Sequence, residues 1–146
     1  MRRSKAPLAM MELAVMLTVF ALAAVLCLRA FVWADQTSRD LADADQALLQ
    51  AQNAAEALKG QGGDMAHAQR AAAEILGGRV EQGLWYILYD ENWQSVPDWE
   101  GAAFMLNAQG VPTEVEGLWK AQIWVSAGDG GEEILCSLPV AWQEVS

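Results

Sequence analysis

Hydrophobic positions fill the first part of the chain with no period at all. From Leu13 to Leu28 sixteen residues pass without a charge, and beyond Arg29 the segment Ala30 to Ala34 is again apolar. Counted from Leu8 to Ala34 the run is longer than the about 20 residues a helix needs to cross a bilayer. A stripe then replaces the run. Leu41, Ala44, Leu48, Ala51, Ala55 and Leu58 recur at spacings of 3 and 4, the signature of a helix with one apolar face. Followed backwards, the same phase passes through Ala34, Ala30, Cys27, Ala23, Phe20, Met16 and Leu13, with Thr37 the polar exception. The two segments predict one continuous helix from Leu8 to Lys59, ended by the glycines of "KGQGGD" (Lys59 to Asp64).

A second helix is predicted from Met65 to Leu76. Asp64 stands where it can cap it, Gly77 and Gly78 close it, and Met65, Ala68, Ala72 and Ile75 form its apolar stripe. After Gly78 the period changes to that of strands. "GLWYILYDENWQSV" reads as a strand, a polar turn at Asp90 to Asn92 and a second strand. "AAFMLNA" gives a third. "GLWKAQIWVSA" alternates, with Trp119, Ala121, Ile123 and Val125 on one face. "GDGG" (Gly128 to Gly131) makes a hairpin, and "EEILCSLPVAWQE" returns with Ile134, Cys136, Leu138, Val140 and Trp142 on one face. Pro139 points outward in this phase, which marks an edge strand or a bulge. The sheet face and the helix stripe each need a partner, so the predicted class is α+β: a long N-terminal helix whose second half packs on an antiparallel sheet of four or five strands.

Charge divides the chain at the same place. Residues 1–34 carry Arg2, Arg3, Lys5 and Arg29 against Glu12, a balance of +3; residues 35–146 carry 18 acids and 5 bases, a balance of −13, which together give the net −10. A domain this acidic repels phosphate backbones, so its bulk is not expected to bind nucleic acid. The bases precede the apolar run and the acids follow it, so the positive-inside rule keeps the N-terminus cytoplasmic and puts the acidic domain outside, with membrane lipid around the helix and Arg29 near its outer edge. A cleavable secretory signal is the rival reading, with "VWA" (Val32 to Ala34) as its cleavage site. The length of the apolar run, Glu12 within it and Arg29 between core and site favour a retained helix. The two cysteines, Cys27 in the run and Cys136 in a late strand, are expected not to meet.

Glu12 is the one acid in this run. An unpaired charge at membrane depth is costly and normally marks a partner. Arg29 lies 17 residues further on, roughly 25 Å along a helix at the standard rise, too far to be that partner.

A basic start, a long apolar helix with a glutamate near its beginning and a following sheet together resemble the type IV pilin and pseudopilin family. In that resemblance "MRRSKAP" is similar to the leader, Leu8 to the first mature residue and Glu12 to the family glutamate. The motif covers about Arg2 to Ala34; the helix-then-sheet order extends it less specifically to the whole chain. It implies a pilin-like fold, with residues 1–7 a leader-like segment, 8–34 the transmembrane helix, 35–60 its amphipathic continuation and 61–146 the extracytoplasmic α+β domain. It further implies that Glu12 pairs with the N-terminal amine of a neighbouring subunit. The implied partners are other pilin or pseudopilin subunits, an inner-membrane assembly platform and a prepilin peptidase acting between Pro7 and Leu8, with N-methylation of Leu8. The family's leader ends in Gly and Pro7 stands there instead, which speaks against that cleavage and methylation.

Candidate chemistry changes this picture little. His67 is the only histidine and reads as solvated; without a second His or a Cys beside it a zinc-type site is poorly supported. "DGGEE" (Asp129 to Glu133) reads as a charged turn before it reads as a calcium loop, and Asp40, Asp43 and Asp45 read as a solvated helix face. No cofactor, no metal and no catalytic residue is expected, and the chain is expected not to be an enzyme. Seven tryptophans are many for this length. Trp119 and Trp142 fall on buried faces, Trp124 on the outward face, and Trp93 and Trp99 near loops, where they could stack on sugars or partner subunits. The leading expectation is a structural subunit of a pilus or pseudopilus-type filament in a type IV pilus, type II secretion or competence-like system, a minor one. A single-pass membrane protein with an extracytoplasmic sensing or binding domain, and a secreted carbohydrate-binding module, are the alternatives.

Overall fold

A computed structural model describes residues 6–60, 62–128 and 131–144. Arg2, Arg3 and Lys5 of the leader-like segment, and Asp129 and Gly130 of the last hairpin, lie outside the described residues. The chain is α+β. Helix α1 (Ala6–Gly60) is followed by α2 (Met65–Leu76) and six strands: β1 (Arg79–Glu81), β2 (Leu84–Tyr89), β3 (Ser95–Val96), β4 (Phe104–Val111), β5 (Leu118–Ala127) and β6 (Glu133–Gln143). Two compact units divide at Leu41 and Ala42.

The first unit is the apolar stretch of α1. Leu8, Met11, Leu13, Leu17, Phe20 and Phe31 are among its large exposed side chains. Its most apolar window has a mean hydropathy of 2.4 and none of it is buried, so the helix is long and apolar enough to cross a membrane once.

The second unit holds the sheet, antiparallel throughout, in the order β1-β2-β4-β5-β6, with β3 paired to β2. Its inner face carries Trp85, Ile87, Leu106, Ala108, Ile123 and Val125, which form one core with Ala47, Ala51, Ala54, Ala55 and Leu58 of α1 and with Ala68 and Ala72 of α2. Alanines let a helix backbone come close to the sheet, so the core is closed with few large side chains from the helical side. The hydroxyl of Tyr89 donates to Gln50 Oε1 at 3.3 Å.

Helix α2 forms as predicted. Asp64 Oδ1 accepts from the His67 amide at 2.7 Å, and the Gly77 amide closes the far end on Ala73 O at 2.9 Å. Its buried face contains Gln69 and not Ile75, which is exposed. Gln69 Nε2 donates to Gly83 O at 2.9 Å and Ala108 O at 3.1 Å, pinning the helix to the β1–β2 turn and to β4. Gly78 must be glycine: at φ 89°, a Cβ would meet the Tyr86 carbonyl at 2.3 Å.

Two further expectations are corrected. The α1 stripe is rotated: Ala47 and Ala54 are buried, whereas Leu48 is 42% exposed and Leu41 62%. The expected stripe followed a strict seven-residue repeat, and on a helix of 3.6 residues per turn such a repeat drifts by about 20° per heptad. From Ala55 through Leu48 to Leu41 it walks off the core. In β6, Ile134 is 64% exposed and points away from the helices. Val125 pairs with Cys136 but Ser126 pairs with Ile134, so Leu135 is the extra residue of a bulge. The bulge reverses the alternation, placing Leu135 against the core and Ile134 outside. Pro139 sits on the edge strand, exposed, as its outward phase required. Strand β1 was not foreseen.

Candidate functional site

Two features stand apart from fold maintenance. The first is Glu12. Its neighbours one turn away on the helix are Leu8, Ala9, Val15 and Met16, and all are exposed and apolar. The other polar side chain with a hydroxyl in this stretch is Thr18, whose Oγ1 donates to Ala14 O at 2.8 Å and so turns its polarity back into the helix. Thr37 does the same to Trp33 O at 2.9 Å. Glu12 has no such internal outlet. Among the described residues the ion pairs are Arg39 with Asp35 and Arg79 with Asp98, and neither includes Glu12 or Arg29. Pro7 and Leu8 lie in the first turn of α1, where the missing amide of proline costs nothing. Val32 to Ala34, the candidate signal-peptidase stretch, lies well inside α1, with helix on both sides.

The second feature is the outer face of the sheet. Register places Tyr86, Asn107, Trp124 and Ser137 side by side across β2, β4, β5 and β6, and Leu88, Met105, Ser126 and Ile134 in the next row. Trp99, from the loop after β3, stacks on Tyr86 with ring centres 6.0 Å apart. Tyr86 and Trp99, with Trp124, Asn107 and Ser126, line a cavity of about 510 Å³. The Tyr86 hydroxyl donates to Glu81 Oε1 at its rim, at 3.1 Å.

The remaining candidates separate cleanly. Trp142 is buried and donates to Gly63 O at 3.0 Å; Trp119 packs half-buried on the core; Trp124 faces outward as predicted. Trp93 is not a free loop residue: its ring lies on Phe104 at 4.1 Å and its Nε1 donates to Asp43 Oδ1 at 3.1 Å. Asp43 is therefore half-buried and hydrogen-bonded, not part of a solvated face. His67 is exposed. Cys27 and Cys136 are both free thiols, and burial pushes the Cys136 thiol up from its ordinary value, away from the reactive thiolate.

The class so defined is an antiparallel α+β domain continuous with an N-terminal helix that has the length and composition of a single membrane span. No family profile, no curated protein and no solved structure matches this chain.

Proposed function

We propose that the chain is a structural subunit of a pilus- or pseudopilus-type filament, most simply a minor one, with non-catalytic work. The observation that carries this reading is Glu12, the one carboxylate in a helix stretch that is apolar all round and exposed along its length. A helix of that kind needs lipid or other helices around it. A carboxylate at that depth needs a cation or donors that this helix does not bring. A neighbouring subunit supplies both, its helix covering the apolar surface and its amine, if the chain is cut between Pro7 and Leu8, neutralising the charge. The continuation of the same helix into the core of the sheet domain supports the reading, because a pull on the helix then reaches the domain through packed side chains.

In this proposal the basic segment stays in the cytoplasm, residues 35–146 lie outside the membrane, and the helix waits in lipid until it meets an assembly platform and other pilin or pseudopilin subunits. The test is Glu12→Leu in the native host. The variant inserts and folds, since the span becomes more apolar, but fails to crosslink and co-purify with neighbouring subunits. Glu12→Asp, with a shorter arm, is partly defective. Wild-type assembly of Glu12→Leu would falsify the subunit reading.

A second reading, a single-pass membrane protein whose outer domain binds a ligand, is favoured by the cavity on the outer sheet face. It differs in needing Glu12 for nothing outside the membrane.

A further inference from the structure

The cavity on the outer sheet face is built over two polar groups that the fold leaves unpaired. Asn107 and Ser126 are 2% and 1% exposed, and among the described residues Asn107 Oδ1 and Ser126 Oγ are buried with no hydrogen-bond partner. Both sit on the central strands β4 and β5, where an apolar side chain would fit the sheet without that cost. Neither belongs to the core, which lies on the opposite face. Gly131 packs close beside Ser126: a Cβ there would lie 2.9 Å from Ser126 Oγ, so glycine lets the hairpin approach the hydroxyl without a clash.

The walls are aromatic. Trp99 is 54% exposed with one face stacked on Tyr86, and Trp124 is half-buried beside Asn107 on the adjacent strand. A volume of about 510 Å³ falls inside the range of small-molecule sites.

From this combination we infer that the outer face of the sheet binds a neutral saccharide unit, its ring against Trp99 and Trp124 and its hydroxyls toward Asn107 and Ser126. A sugar ring offers an apolar C–H face for an indole and an edge of hydroxyls that both donate and accept, which is what a carboxamide and a hydroxyl at the floor require. Other ligand classes fit less well. A wholly apolar guest leaves both polar groups unpaired. A quaternary ammonium suits aromatic faces but brings neither donor nor acceptor to the floor. An anion meets Glu81, the one charged residue lining the cavity among the described residues, in a domain with a large negative balance. The inference does not depend on Glu12, and it holds for a filament subunit and for a lone membrane protein alike.

The test uses the full chain in a detergent without a sugar headgroup. Cellotriose, maltotriose and triacetylchitotriose are titrated by calorimetry and tryptophan fluorescence, with choline and trigalacturonate as competitors of other classes. One of the neutral trisaccharides is expected to bind saturably, in the micromolar to millimolar range. Trp99→Ala and Asn107→Ala should each weaken it by about tenfold or more. Asn107→Ala is the informative variant. It deletes a buried carboxamide whose oxygen has no partner among the described residues, so binding falls while the melting temperature holds or rises; a group serving the fold would lower both. Binding of none of the three, unchanged binding in both variants, or tighter binding of choline or trigalacturonate overturns the inference.

Discussion

Trp93 Nε1 donates to Asp43 Oδ1 at 3.1 Å, joining a turn of the sheet to the helix across fifty positions of sequence. Trp93 adopts a positive φ of 60°, uncommon for an aromatic residue, and stacks on Phe104 in doing so. The turn before it is tied by Asp90 Oδ1, which accepts from the amides of Asn92 and Gln94 at 2.8 and 2.9 Å. Asp43→Ala should lower stability by about 1–2 kcal/mol, since it leaves a half-buried indole N–H unpaired. Asp43→Asn, which keeps an acceptor, should recover most of it. Chemical denaturation of the full chain in micelles measures both, and equal losses for the two variants would remove this contact from the list of stabilising interactions.

Substitutions on α1 should follow the rotated stripe. Ala51→Leu overfills a fully buried site and should cost about 1–3 kcal/mol or more. Leu48→Ser, one residue away in the expected stripe, should cost less than about 1 kcal/mol because its side chain is partly in solvent. The comparison is decided by melting curves of the two variants side by side. A larger loss at Leu48 would restore the unrotated stripe.

Burial pushes the Tyr89 hydroxyl up to about 12 from 10.0. The phenol is thus held protonated in the folded chain over a range where the unfolded chain ionises. The stability this represents is fully present below pH 10 and is lost as the pH rises through about 12. Tyr89→Phe should flatten that part of the stability curve. A tyrosinate absorbance titration checks the same assignment, one of the two tyrosines ionising only as the domain opens.

Topology follows from charge placement. Protease added to cells with permeable walls should digest the acidic residues after Ala34 and spare the basic start. Protection of the domain with loss of the N-terminal segment would reverse the proposed orientation.

Most of the architecture was legible because long periodic patterns override local detail. The two helices, the Asp64 cap and the strands around Trp85, Leu106, Ile123 and Val140 come directly from spacing. What was not legible has specific causes. Strand β1 has three residues, too few to alternate. Its clue was "EQGL": Gln82 and Gly83 both take positive φ, the backbone of a two-residue hairpin turn. The β6 bulge carries no residue type that announces it, so Ile134 and Leu135 could be ordered only by the pairing of β5. The helix stripe failed by accumulated angle, not by a wrong residue. Glu12 was conspicuous in the sequence because one charge stands out among many apolar neighbours. The outer-face cavity was not, because Tyr86, Asn107 and Trp124 become neighbours only through strand register, and Trp99 joins them from a loop. The outward phase of Trp124 was the one trace of it.

The edge strand β6 has a consequence for chains that share a surface. Molecules confined to a plane meet far more often than molecules in bulk water, and an open strand edge is a template on which a second sheet can grow. Here that edge is eleven residues long but is spoiled twice, by Pro139, which has no amide to offer, and by the bulge at Leu135, which breaks the regular spacing of donors and acceptors. Both interruptions work against zipping crowded domains into a continuous ribbon through their backbones.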